Sequence, residues 1–163
     1  MIASAVSDTV AIPDENPGPD SLIVPPTVKA DVTPVPPSNW NGIDAFLAGS
    51  PLAGMGNVFI AAALVHGLDP RLMPAIALWE SGRCGFQAAP YNCWGLTTGE
   101  RTPSGGLVFR AFTSYEEAIW TVTETFAGYG LPTYAALCMW VSGRANCDSD
   151  YPGKVLNTMG GIR

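Results

Sequence analysis

Between Met55 and Ser81 the chain carries two helix-length apolar segments with a single break between them, HGLDP at residues 66–70. Such a pair has to bury itself against further helices, so a mainly helical domain is the expectation. The spacing predicts a helix over Met55–His66, with Val58, Ala61, Ala62 and Val65 on its buried stripe. Gly67 reads as its C-cap. Asp69-Pro70 opens the second helix as an N-cap followed by proline at the first helical position, and Gly82 stops it after Ser81.

Glu80 stands out in that second helix. Leu72, Ile76 and Glu80 are four apart, and Met73, Ala77 and Glu80 are four and three apart, so both rows share one face. Glu80 is therefore predicted on the core-facing stripe near the C-terminal end. Burial there, and the partial negative charge of the helix end, favour a protonated carboxyl. A protonated carboxyl at neutral pH is what glycoside cleavage uses as a general acid. The plain alternative is a buried glutamate paired with Arg83 or Arg110.

The remaining acids fit other roles. Asp69 is a cap, and Glu116, Glu117 and Glu124 suit a solvated helix face. Asp148 and Asp150 lie in a polar loop before the last helix. Glu100 is the candidate second carboxylate, across the groove from Glu80. His66, the only histidine, falls at a helix end and offers no nucleophile system.

Residues 83–112 are rich in Gly, Thr, Pro and aromatics, and TTGERTPSGG followed by LVFRAF predicts a loop and a small β-hairpin. Ser114 with Glu117 forms a capping-box pattern, opening a helix that carries Ile119, Val122, Thr123 and Phe126. Pro132–Val141 and Tyr151–Met159 are predicted as further helices, and Asn41–Leu47 as a short one ended by Gly49-Ser50-Pro51. The fold class is mainly α (α+β).

The first 40 residues differ in kind. They hold eight of the 15 prolines, and five acids against one lysine give them a net charge of −4. With backbone donors removed and few large apolar groups to pack, residues 1–40 read as an extended linker or tether. The alternative is an arm docked through SLIVPPTV. The domain proper is predicted over 41–163, with nine acids and seven bases.

The whole chain has 163 residues and a net charge of −6. That balance argues against a nucleic-acid partner, which calls for a basic face. No run of about 18 apolar residues is present to insert into a membrane. The N-terminus lacks the basic and apolar regions of a signal peptide, so export would follow removal of a signal or a phage-type route.

Cys84 and Cys93 are separated by eight residues, as are Cys138 and Cys147. Those gaps exceed the short spacers of zinc sites, so no metal is expected. Four cysteines allow three disulfide connectivities, of which 84–93 and 138–147, each closing a short loop, are favoured. Disulfides imply an oxidising or extracellular compartment.

Three segments, GNVFIAAALVHGLDPRLMPAIALWESG, NCWGL and FRAFTSYEEAI, together resemble the lysozyme-like superfamily. They are similar in particular to the glucosaminidases of glycoside hydrolase family 73, the bacterial lytic transglycosylases and phage muralytic domains. Asp69-Pro70 through Ala75-Ile76 to Glu80-Ser81 matches the family's helix end. Asn92-Cys93-Trp94-Gly95 matches its N-x-x-G turn, Phe109-Arg110-Ala111-Phe112 its strand end, and the segment around Tyr151 its C-terminal helix start. The match spans roughly residues 51–160.

The resemblance implies a lysozyme-like helical domain with a groove between two lobes, Glu80 as the catalytic acid, and glycan strands of peptidoglycan as the partner. It implies no cofactor. Glu100 would activate water; Tyr91, Trp94 and Tyr129 would stack on or hydrogen-bond sugars. Asn92 would orient a sugar or simply make the turn, and Ser81 and Tyr151 join the substrate-binding candidates. Two departures stand out: the segment between Gly95 and Phe109 is short, and the four cysteines are not a general family feature. The implied place is extracellular or at the cell wall, free or held in a virion or secretion assembly through the N-terminal segment. The rival reading is a non-catalytic wall-binding or structural module on the same fold.

Overall fold

The structure, a computed structural model, describes residues 42–163. The proline-rich segment, its tether and docking readings, and Asn41 lie outside the described residues. Six helices and one hairpin follow in order: α1 Gly42–Leu47, α2 Gly56–Val65, α3 Leu72–Ser81, β1 Thr97–Arg101, β2 Leu107–Phe109, α4 Tyr115–Ala127, α5 Thr133–Ser142 and α6 Tyr151–Gly161. The mainly α expectation with a small β lobe holds. Among the described residues no helix is long and apolar enough to cross a membrane.

α2 packs on α4, α3 on α6, and α5 on α6. Phe59, Leu72, Ile76, Trp94, Ile119, Val122, Leu137 and Val155 fill the space between them. The buried face of α2 differs from the predicted stripe. Phe59, Ile60, Ala62 and Ala63 are buried, whereas Val65 is 67% exposed and Val58 only half-buried. Every residue from Val58 to Val65 is apolar, so periodicity cannot choose a face, and packing of the largest ring, Phe59, does.

α3 begins at Leu72, two residues after the predicted start, with Arg71 at the N-cap, so Asp69 is not the cap predicted for it. The Asp69 carboxylate accepts from the Arg71 backbone N–H at 2.9 Å and pairs with the Arg71 guanidinium at 2.6 Å, holding the turn before the helix. Pro74 sits inside the first turn, where a missing N–H breaks no helical bond. Gly82 ends the helix in the left-handed region at φ +61°, as its position predicts.

The capping box of α4 forms in a shifted version. Ser114 Oγ accepts from the Glu117 N–H at 3.1 Å, while the Glu117 carboxylate reaches back to the N–H and hydroxyl of Thr113. β1 and β2 pair antiparallel, Thr97 opposite Phe109 and Arg101 opposite Leu107, with an irregularity between them. Both disulfides of the favoured connectivity are present, Cys84–Cys93 and Cys138–Cys147.

Candidate active site

The rows Leu72–Ile76 and Met73–Ala77 are buried, as their spacing predicts, but Glu80 is exposed. This corrects the expectation of a carboxyl sunk in the core. The face is the right one; the packed interior ends one turn earlier, and Glu80 projects where it opens into a groove.

Two clefts meet at Glu80. The larger, about 330 Å³, is bounded by Trp94, Leu96 and Thr97 on one side, Leu107 from the hairpin, and Tyr129, Trp140 and Val141 opposite. The smaller, about 240 Å³, is bounded by Ser81, Phe86, Ala88, Asn92, Cys93 and Phe109. Glu80 and Gly95 line both, and among the described residues Glu80 is the only carboxylate lining either.

Oε1 of Glu80 accepts two hydrogen bonds, from the Tyr151 hydroxyl at 2.5 Å and from Trp140 Nε1 at 3.1 Å. Oε2 lies beside Gly95, 3.9 Å from where a Cβ on that glycine would stand. Gly95 adopts φ +68°, so the N-x-x-G turn sets bare backbone next to the carboxyl. The ion pairs among the described residues are Asp69–Arg71 and Asp150–Lys154, and neither reaches Glu80. Arg83 instead donates to the Phe46 carbonyl, and Arg110 lies over the Phe112 ring.

Tyr151 is half-buried. Burial, the hydrogen bond to Glu80 and the charge of Glu80 together hold its hydroxyl far above the ordinary tyrosine range. It therefore stays a proton-bearing donor throughout the working pH range. Tyr129 lines the larger cleft with its ring against Phe126, and burial raises its hydroxyl as well.

Other sequence candidates have structural work. Asn92 is buried, and its amide is fully engaged: Nδ2 donates to the carbonyls of Leu96 and Arg110, both at 2.8 Å, and Oδ1 accepts from the N–H groups of Trp94 and Leu96. Four backbone partners leave nothing for a sugar, so Asn92 makes the turn. Trp94 is 1% exposed, donates to the Met73 carbonyl and meets Phe59 edge-on. It walls the cleft from within the core and presents no open face for stacking.

Ser81 Oγ accepts from the Cys84 N–H at 2.9 Å and donates to the Cys93 carbonyl at 2.7 Å, tying the helix end to both sides of the first disulfide. Tyr91, at φ +57°, rests its ring on Tyr115 and lines neither cleft. Glu100 is exposed on β1 and lines neither cleft.

Trp140 was not among the sequence candidates. Its helix reads TYAALCMWVS, apolar almost throughout, so nothing local marks one residue as a partner of Glu80. Phe86 and Phe109 were likewise unmarked.

No family model matches the chain, and no curated protein matches it. Among solved structures, a peptidoglycan hydrolase mutant from Sphingomonas sp. A1 is 20% identical with a TM-score of 0.49, covering 72% of this chain and 93% of that one. The catalytic domain of the autolysin Auto from Listeria monocytogenes is 17% identical with a TM-score of 0.49, covering 75% of this chain and 85% of that one.

Proposed function

We propose that the chain is a lysozyme-like enzyme that cleaves the β-1,4-linked glycan strand of peptidoglycan, with Glu80 as its acid. One observation carries this reading: among the described residues Glu80 stands alone among carboxylates lining two clefts, with Oε1 anchored and Oε2 beside Gly95, which lines both. A polymer laid along the groove crosses Glu80 with a sugar on either side, which is where a bond-cleaving acid has to be.

The anchoring assigns roles to the two oxygens. Oε1 is occupied by Tyr151 and Trp140, so Oε2 is the oxygen left to exchange a proton with the substrate. The proton passes from Oε2 to the glycosidic oxygen as the bond from that oxygen to C1 breaks and positive charge develops at C1. Glu80, now a carboxylate, then accepts a proton. If the sugar's own hydroxyl closes on C1, its proton returns to Glu80 and an anhydro product leaves. If water adds instead, its proton goes to Glu80 when the water enters from the acid's face, or to a second base when it enters from the opposite face.

Among the described residues no second carboxylate lines either cleft, and the first route needs none. Glu100 serves the second only if β1 brings it to the groove on substrate binding. Two disulfides suit an extracellular setting at the cell wall. Attachment to a virion or secretion assembly through the N-terminal segment belongs to the same proposal.

The test is digestion of purified sacculi by the wild-type chain, Glu80→Gln and Glu100→Gln, with the muropeptides read by mass spectrometry. Loss of release in Glu80→Gln with sacculus binding retained is the expected result. Anhydro ends, unaffected by Glu100→Gln, would identify the single-carboxylate route; reducing ends lost in Glu100→Gln would identify Glu100 as the base. Equal behaviour of wild type and Glu80→Gln would leave a wall-binding module.

A further inference from the structure

Phe86 is 83% exposed, the most open large apolar side chain among the described residues. Leaving a phenylalanine in water forgoes about 2 kcal/mol of burial, so a fixed exposed ring wants an explanation. The backbone beneath it is held. Its N–H donates to the Ser81 carbonyl at 3.1 Å, the Cys84–Cys93 bridge closes its loop, and the next residue, Gln87, bonds both the Tyr91 N–H and the Tyr115 hydroxyl. The ring lines the smaller cleft, where Phe109, 39% exposed at the end of β2, also stands.

Resting on the glycan-cleaving reading above, we infer that Phe86, with Phe109, forms the hydrophobic subsite for one N-acetylhexosamine ring on the smaller-cleft side of Glu80. The ring faces of a pyranose carry C–H groups that pack on aromatic faces, and among the described residues the cleft bears no charged lining besides Glu80 itself. The cleft is continuous with the reacting position, because Glu80 and Gly95 line both. A ring held there fixes the strand's register across the scissile bond. The disulfide-closed loop presents Phe86 already in place, so little ordering accompanies binding.

The test uses the Glu80→Gln full chain, which leaves glycan intact, with and without Phe86→Ala, and peptide-free oligosaccharides of alternating N-acetylglucosamine and N-acetylmuramic acid. Titration calorimetry is expected to show affinity falling about tenfold in Phe86→Ala, the scale of one lost aromatic contact. Phe86→Trp should restore it. In the active chain Phe86→Ala should raise KM with kcat nearly unchanged, the mark of binding energy spread evenly over ground and transition states. Because Phe86 is so exposed, the alanine variant folds as the parent does, which circular dichroism checks. Unchanged affinity and KM in Phe86→Ala would overturn the subsite alone. Absence of oligosaccharide binding by the Glu80→Gln parent would overturn the subsite together with the glycan-cleaving reading.

Discussion

The Tyr151 hydroxyl donates to Glu80 Oε1 at 2.5 Å, joining two residues 71 positions apart at the mouth of α6. Trp140 donates to the same oxygen from α5. The carboxyl is thus held at one oxygen by two helices, and its second oxygen lies beside Gly95, which lines both clefts.

Removing the Tyr151 hydroxyl should disturb that aim without emptying the clefts. Tyr151→Phe is expected to lower kcat about tenfold to a hundredfold, the scale of a hydrogen bond to a charged group, with KM little changed. Trp140→Phe, which removes the longer bond, should lower it less. Steady-state kinetics on solubilised glycan strands would check both, and wild-type kcat in Tyr151→Phe would contradict the positioning role.

The Cys138–Cys147 bridge closes the loop that connects α5, carrying Trp140, to α6, carrying Tyr151. A loop of nine-residue separation gives about 2.5 kcal/mol of stabilisation through the unfolded chain. The Cys138→Ser/Cys147→Ser double variant should melt roughly 10 °C lower by calorimetry. At temperatures where it remains folded its kcat should still fall, because both donors to Glu80 flank the released loop. A folded double variant with full kcat would separate the bridge from the site.

Asp69 gives a pH-dependent stability. Burial pushes its carboxyl upward, but the hydrogen bonds and charge of Arg71 outweigh that, and the net position is below the ordinary 3.8. A carboxyl lowered on folding contributes stability that is fully present above its unfolded value. That stability is lost as pH falls through the folded value. Both partners of the ion pair are about a third exposed, so solvent screens the charge and most of the effect belongs to the hydrogen bond from the Arg71 backbone N–H. Asp69→Ala should cost about 1 kcal/mol in urea denaturation at pH 7, the scale of one side-chain hydrogen bond. The gap to wild type should narrow below pH 3.8, and a constant gap would contradict the assignment.

Much of this domain is readable because its determinants are local. The left-handed stop at Gly82, the Ser114–Glu117 cap, the hairpin and the 84–93 and 138–147 bridges each involve residues at most twelve apart. So does the turn that Asn92 builds with Trp94 and Leu96. Backbone sterics and short-range hydrogen bonds act within such spans, and residue type at fixed spacing reports them. The helical row ending at Glu80 is of the same kind.

Packing across the chain decided the rest. Periodicity tells which face Glu80 occupies but not where the core stops, and the core stops one turn before it. An all-apolar α2 admits any face until Phe59 finds its neighbours. Trp94 went inside because the Met73 carbonyl receives its N–H there. Trp140 and Tyr151 reach Glu80 from 60 and 71 residues away, a meeting set only by how α5 and α6 dock beside α3. Local patterns carry no information about partners that distant, so Glu80 was legible in the sequence as a candidate and the residues that hydrogen-bond it were not.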